Sequence, residues 1–326
     1  MSLLLLGGGL PRIPLIRPGL ISPRLSFARA QTGGATSSYI AADGTTIVSD
    51  VPADRPRFNG PSLRALIEGQ RTNVLVNSAT LSTQSVSVTA GTYTLSFRGT
   101  GSVTLSGAGS GTLAGSGATT RVQLAVTVTT GTLTLTVTGS VTTAQLEVGP
   151  FASSYIPTDA TAKTRGADLV SASLAALGIP ASGACTLLWS GKIGRVASGQ
   201  FQTVAHIDDG SANNRALLRN DNTSLTLWRV TGGAASSAVI GPISSDTMFR
   251  CGMSLDGSGR VAASLDGGSV SAVTGAPTSG FTMLRAGTDN AGLQALFGDV
   301  GRLDLIPCAI SDTRLQAEVA AMPLLY

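Results

Sequence analysis

The chain has 326 residues, 42% of them hydrophobic and only 12% charged, against about 25% charged in ordinary globular domains. That balance excludes a disordered, highly charged chain and a cytosolic helical enzyme of ordinary composition. With 37 serines, 38 threonines and 41 glycines beside only two lysines, the mixture favours strands and turns over helices, and the length suits roughly two domains.

In chain order, the first feature is the run Leu3, Leu4, Leu5, Leu6 followed by Gly7 to Gly9. It imitates a secretory signal, but no basic residue precedes it and the apolar run is short. Pro11, Pro14, Pro18 and Pro23 exclude one continuous helix. Arg12, Arg17, Arg24 and Arg29 stand in the first 42 residues without an acid. Residues 1–42 therefore read as an extended attachment arm. Leu3, Leu4, Leu5, Leu6, Ile13, Leu15 and Ile16 would anchor it on a neighbouring subunit or larger assembly, burying apolar surface at about 25 cal/mol per Å². The competing reading lays this strand on the protein's own body. No stretch of the sequence approaches the ~20 apolar residues of a membrane span.

Residues 43–80 read as a connecting segment and 81–158 as a small threonine-rich β-sandwich domain. From Ser85 to Val148 apolar and polar residues alternate, as in Val122, Leu124, Val126 and Val128, the period of strands with one buried face. Residues 86–97 (VSVTAGTYTLSF) match residues 126–137 (VTVTTGTLTLTV) at seven of twelve positions, each copy predicting strand, glycine turn, strand. Between them Gly107 to Gly117 reads as a flexible glycine-serine loop. Residues 159–183 form a linker, and 184–326 a second β-sandwich. Its expected strands are Cys185 to Trp189, Gln202 to His206, Ala216 to Leu218, Leu225 to Val230, Met248 to Leu255, Arg260 to Leu265, Thr282 to Arg285 and Gly298 to Ile306. Asp256-Gly257 and Asp266-Gly267 supply turns. Only the end changes period: Leu315, Val319 and Met322 form one stripe of a short helix begun by Ser311 and Asp312. The predicted class is all-β.

Little in the sequence points to catalysis. His206 is the single histidine, so a Ser-His-Asp arrangement would have to pass through it, and its place on an alternating strand favours a structural role. A glycosidase needs paired carboxylates, but Asp209, Asp256, Asp266 and Asp289 stand in turn contexts. Asp208-Asp209 and Asp221-Asn222 give the best hint of a cation site, and turn chemistry accounts for the same residues. Cys185, Cys251 and Cys308 fit neither a disulfide framework nor a zinc spacing and read as free thiols made in a reducing compartment. No basic stripe interleaved with aromatics suggests nucleic acid. No catalytic residue, metal or cofactor is assigned.

Sugar recognition needs an aromatic platform, because the apolar face of a pyranose packs on a ring. The candidates are Trp228, Arg229 and His206. If Leu225 and Leu227 face the core, Trp228 faces outward with Arg229 beside it; the preferred alternative places Trp228 inside the sandwich. Trp189 reads as core, and Tyr155 as fixing a junction.

The closing stretch, Phe297-Gly298-Asp299-Val300-Gly301-Arg302-Leu303-Asp304-Leu305 followed by Ser311-Asp312 and the helix, resembles the end of concanavalin A-like (laminin G-like) jelly-roll domains. The resemblance covers about 184–326. Two upstream segments, Leu66 to Asn73 (LIEGQRTN) and Gln145 to Thr158 (QLEVGPFASSYIPT), are similar to segments recurring in structural proteins of tailed bacteriophages and gene transfer agents. The resemblance implies a virion-attached spike, tail fibre, head fibre or decoration protein. Such a protein is often trimeric, is assembled in the host cytoplasm, and meets virion partners through its arm and host surface polysaccharide through its outer domain. Alternatives are a polysaccharide depolymerase on the same scaffold and a purely structural decoration protein. The calcium- or manganese-type cluster of lectin members is missing.

Overall fold

A computed structural model describes residues 10–196, 199–278 and 280–326. The chain is all-β with one helix among the described residues, and it divides into two compact units. One is the described part of Met1–Ser26 together with Leu169–Tyr326; the other is Phe27–Asp168.

The first unit is a jelly-roll-type sandwich of two antiparallel sheets. One sheet runs, in spatial order, Leu20–Ile21, Ile13–Arg17, Gly298–Ile306, Cys185–Ile193, Phe249–Leu255, Arg260–Leu265 and Ser271–Thr274. The other runs Ala234–Pro242, Ser224–Thr231, Arg215–Asp221, Phe201–Asp208, Met283–Ala286 and Leu169–Ser173. Trp189, expected as core, is 1% exposed and lies against Phe249 with ring centroids 4.8 Å apart. The helix Asp312–Ala320 begins where expected: Ser311 accepts from the Arg314 N–H, and Leu315, Val319 and Met322 are buried against Leu188, Ala262 and Ile306. Asp266 and Gly267 both have positive φ, and the Gly268 N–H donates to the Leu265 carbonyl at 2.8 Å, so the pair forms a tight turn within the longer connection between Arg260–Leu265 and Ser271–Thr274.

Ile13–Arg17 is extended, as expected of the arm, but its partner is the protein itself. Ile13 pairs with Leu305, and Leu15 and Ile16 are buried within the first unit. The strand does not alternate, since adjacent Leu15 and Ile16 are both buried across a register shift between Pro14 and Ile16, and these apolar side chains find a core at home. The expected anchors Ile13, Leu15 and Ile16 are therefore sheet residues, and Leu3, Leu4, Leu5 and Leu6 lie outside the described residues. The boundaries at 42, 80 and 183 dissolve for the same reason. Gln31–Thr32 and Arg71–Asn73 flank Lys163–Arg165 in a small sheet of the second unit, and Leu169–Ser173 is a strand of the first.

In the second unit the sequence repeat becomes an exchange of strands. Gln84–Val88 pairs with Gly131–Thr138, and Gly91–Gly99 pairs with Gly117–Val128. Each copy crosses at its glycine turn from one sheet to the other, with φ of 155° at Gly91 and 156° at Gly131. Val88 meets Gly131 and Gly91 meets Val128, so the copies are related by an approximate dyad. Leu95, Phe97, Leu133 and Leu135 fill the core between these sheets. The glycine-serine segment is not a loop throughout: Gly111–Ala114 pairs with Ser102–Gly107. Gly115 is there for close approach, since a Cβ on it would meet the Gly99 carbonyl oxygen at 2.1 Å.

The segments Leu66 to Asn73 and Gln145 to Thr158 lie side by side in this unit. Asn73 donates to the carbonyls of Ala144 and Ile156 and accepts from the Leu146 N–H. Glu68 accepts from the Ser154 N–H at 2.7 Å and the Ser154 hydroxyl at 2.6 Å, and pairs with Arg57 at 2.8 Å and Arg165 at 2.9 Å. Arg57 also reaches Asp168, which Arg29 meets at 2.8 Å. Tyr155 bonds Ser78 through its hydroxyl at 2.8 Å. Burial pushes the Glu68 carboxyl up, but Arg165, Arg57 and Ser154 outweigh it and hold the group at about 2.

Removing a partner from such a network strands a buried charge. Glu68→Gln should cost about 3–5 kcal/mol in denaturant unfolding of the second unit, and an unchanged midpoint would refute the role assigned to Glu68. Gly115→Ala should cost about 1–3 kcal/mol by overpacking, while Ser110→Ala, at an exposed position of the same segment, should cost almost nothing.

Candidate functional site

The sheet containing Trp228 has one face toward the core and one away from it, and cross-strand register decides which residues share each face. Asn222 and Thr223 have positive φ and close a two-residue hairpin in which Asp221 pairs with Ser224. Counting back, Arg219 lies opposite Thr226 and Leu217 opposite Trp228, while Phe201 of the next strand pairs with Asp221. Phe201, Arg219, Asp221, Thr226 and Trp228 thus share the outer face. Leu225 and Leu227 point inward and are fully buried.

On that face three planar groups form a row across three strands. The Arg219 guanidinium carbon lies 4.4 Å from the Phe201 ring centroid and 4.1 Å from that of Trp228, within cation–π range on both sides. Asp221 holds the row: it accepts from Arg219 at 3.2 Å and from the Trp228 indole N–H at 3.3 Å. The Gln294 side-chain oxygen is 3.5 Å from Arg219. Burial lowers the Arg219 pKa, countered by its hydrogen bond and charge contact with Asp221, and a guanidinium stays charged regardless. Phe201 is 43% exposed and Trp228 half-buried. Beyond Trp228, Ser237 of Ala234–Pro242 lies directly opposite.

The sequence candidates separate. Trp228 takes the outward orientation, the less favoured of the two sequence readings, because both leucines of its strand are in the core. Arg229 does not stand with it: it points to the core face, is 1% exposed, and donates to the backbone carbonyls of Gly259 and Ala276, which flank the strands Arg260–Leu265 and Ser271–Thr274 of the opposing sheet. His206 shares the outer face through its pairing with Leu217 but is fully buried, and neither ring nitrogen has a hydrogen-bond partner among the described residues. Its Nε2 is 3.6 Å from Asp208, which Arg285 engages at 2.6 Å. Phe201, Arg219 and Gln294 escaped the sequence reading. The available signal was the Asp-Asn-Thr turn, which sets the parity of 217, 219 and 221 against 226 and 228.

Other candidate groups have local partners. Asp209 accepts from Ser211 and Asn214, and Asp256 from the N–H groups of Ser258, Gly259 and Arg260. No cluster of potential metal ligands occurs among the described residues. All three cysteines are free, and burial pushes the Cys185 thiol up to about 12. No helix of the described residues is long and apolar enough to cross a membrane.

No protein-family model and no curated protein matches the chain. Among solved structures it is similar to the CBM40 of an IT-sialidase from Ruminococcus gnavus, at 14% identity and TM-score 0.35, covering 42% of this chain and 82% of that one. It is also similar to the NanB sialidase from Streptococcus pneumoniae at 16% identity and TM-score 0.37, covering 48% of this chain and 26% of that one. A third likeness is to the binding domain of Botulinum neurotoxin DC, at 7% identity and TM-score 0.36, covering 47% and 40%.

Burial pulls His206 down to about 4. Between that value and the usual ~6.5 the unfolded chain binds a proton that the folded chain refuses. The contribution of His206 is therefore whole above pH 6.5 and is lost as pH falls through 4, by about 3 kcal/mol. Denaturant unfolding at pH 7 and pH 4 should show a drop larger by that amount in the wild type than in His206→Met. Equal drops would refute the buried neutral state.

Proposed function

We propose that this protein is a non-catalytic glycan-binding component of a virion surface, and that the row Phe201–Arg219–Trp228 is its sugar platform. The observation that carries the reading is two aromatic rings locked against one guanidinium on the outer face of a sheet. A pyranose stacks its C–H face on such a ring, and its hydroxyls need acceptors and donors nearby. Asp221 accepts from Arg219, Trp228 and Asn222, leaving capacity on a carboxylate with about four acceptor positions. Because Arg219 and Asp221 already hold the indole, binding orders little that was free. Trp and Arg are also the side chains that dominate recognition hot spots.

The non-catalytic part is supported by the histidine, which is sealed from solvent and has no hydroxyl or thiol bonded to either ring nitrogen among the described residues. The virion setting is supported by the two segments similar to phage structural proteins, which make up the buried frame of the second unit. Adhesion then follows from many weak contacts on one particle.

The test is retention of purified protein on immobilised capsule or lipopolysaccharide of the host. Trp228→Ala should weaken retention at least tenfold, about 1.4 kcal/mol or more, and Arg219→Lys, which keeps the charge but not the planar stack, should fall between. Undiminished retention by Trp228→Ala would overturn the site. Reducing ends released from the polysaccharide would overturn the non-catalytic assignment. Particles lacking the protein should adsorb poorly, and normal adsorption would overturn its adhesive role.

A further inference from the structure

The strand Ala234–Pro242 ends the sheet that carries Trp228, and its backbone ladder runs on one side only, to Ser224–Thr231. Natural edge strands are protected by lysine, proline, inward charges, bulges or a covering loop. Here protection is confined to one end. The register slips at Ile240, Pro242 closes the strand, and the Ser271 hydroxyl lies 3.5 Å from the Val239 carbonyl. From Ala234 to Ala238 there is no charge and no proline, Ala234 to Ser237 are exposed, and no bond to the outer edge of this stretch occurs among the described residues. A row of backbone donors and acceptors is left facing solvent.

We infer that a second copy of this chain adds to this edge, antiparallel and centred on Ser236, joining two sheets into one. A strand paired with its own copy is self-complementary by two-fold symmetry. Around Ser236 every pairing is then between small uncharged side chains, Ala234 with Ala238 and Ala235 with Ser237. A charge at the centre, or charges of one sign along the strand, would face their like across the dyad and repel the copy; this strand sets none. Five residues of ladder make a weak, concentration-dependent contact rather than an obligate dimer.

The dyad of such a pair is perpendicular to the joined sheet, so both copies turn the same face outward. Trp228 lies one strand in from the edge, opposite Ser237, so two indoles come to lie on one surface about 15 Å apart, three strand spacings. The dimer rests on the edge strand alone; the bivalent sugar surface it creates rests in addition on the platform proposed above.

Sedimentation equilibrium over a range of concentrations should show monomer passing to dimer. Ser236→Lys and Ser236→Glu should each remain monomeric with unchanged circular dichroism, and an equimolar mixture of the two should dimerise again, since opposite charges then meet at the dyad. Wild type that remains monomeric at the highest soluble concentration, or forms trimers, overturns the inference, as does a mixture that fails to associate. Trp228→Ala should dimerise normally. Ser236→Lys should keep its affinity for a monovalent oligosaccharide yet lose at least tenfold in retention on a polymeric glycan. If it loses nothing on the polymer, the bivalent surface is refuted while the dimer stands.

Discussion

Burying a carboxylate is costly, and this protein does so repeatedly by closing a guanidinium on it. Glu68 and Asp168 are shared among Arg29, Arg57 and Arg165, Glu147 lies 3.4 Å from Arg71, Asp208 meets Arg285, and Asp304 meets Arg302 at 2.8 Å. At Glu68 the desolvation is offset because the guanidinium donors of Arg57 and Arg165 and the N–H and hydroxyl of Ser154 occupy most of the carboxylate's lone pairs. Lysine, a point charge on a flexible stem, cannot do this as well. A chain with 22 basic residues and only two lysines has the composition such grips require. In the second unit they draw together segments near residues 29, 57, 68, 154 and 165, and so hold the strands around them in register.

The outer face of the Trp228 sheet follows the same logic at the surface. Arg219 is fixed by Asp221 below and by aromatic rings on both sides. The row is already ordered in the fold. Its rigidity comes from strand parity: once Leu225 and Leu227 enter the core, Thr226 and Trp228 must leave it, and the tight turn at Asn222-Thr223 puts Arg219 and Asp221 on the same side. Arg229, one residue further, is sent across the sandwich by the same alternation. Adjacency in sequence misleads in a strand, because neighbours occupy opposite faces.

Period and turn chemistry made much of the architecture legible. The threonine alternation, the helix behind Ser311 and most strands of the sandwich stood in the sequence with errors of only a few residues at their ends. Ala234–Pro242 did not, because an edge strand with exposed small side chains buries too little to show a hydrophobic period. Gly111–Ala114 was hidden by glycines that suggest freedom and in fact permit contact. The similar segments at 66–73 and 145–158 were visible as segments, but nothing local to either one marks the other as its partner.

What the amino-acid order determined by itself was local: extended backbone with two unlike faces, where it turns, and where the one helix starts. The fold alone decided which strands became neighbours, so it alone turned Ile13–Arg17 from a tether into a sheet strand and exchanged the strands of the repeat. It also brought Phe201 beside Arg219 and Trp228. The reason is physical: side-chain period is a property of a few consecutive residues, whereas pairing depends on which distant surfaces bury the most apolar area while leaving the fewest charges and hydrogen-bonding groups without a partner.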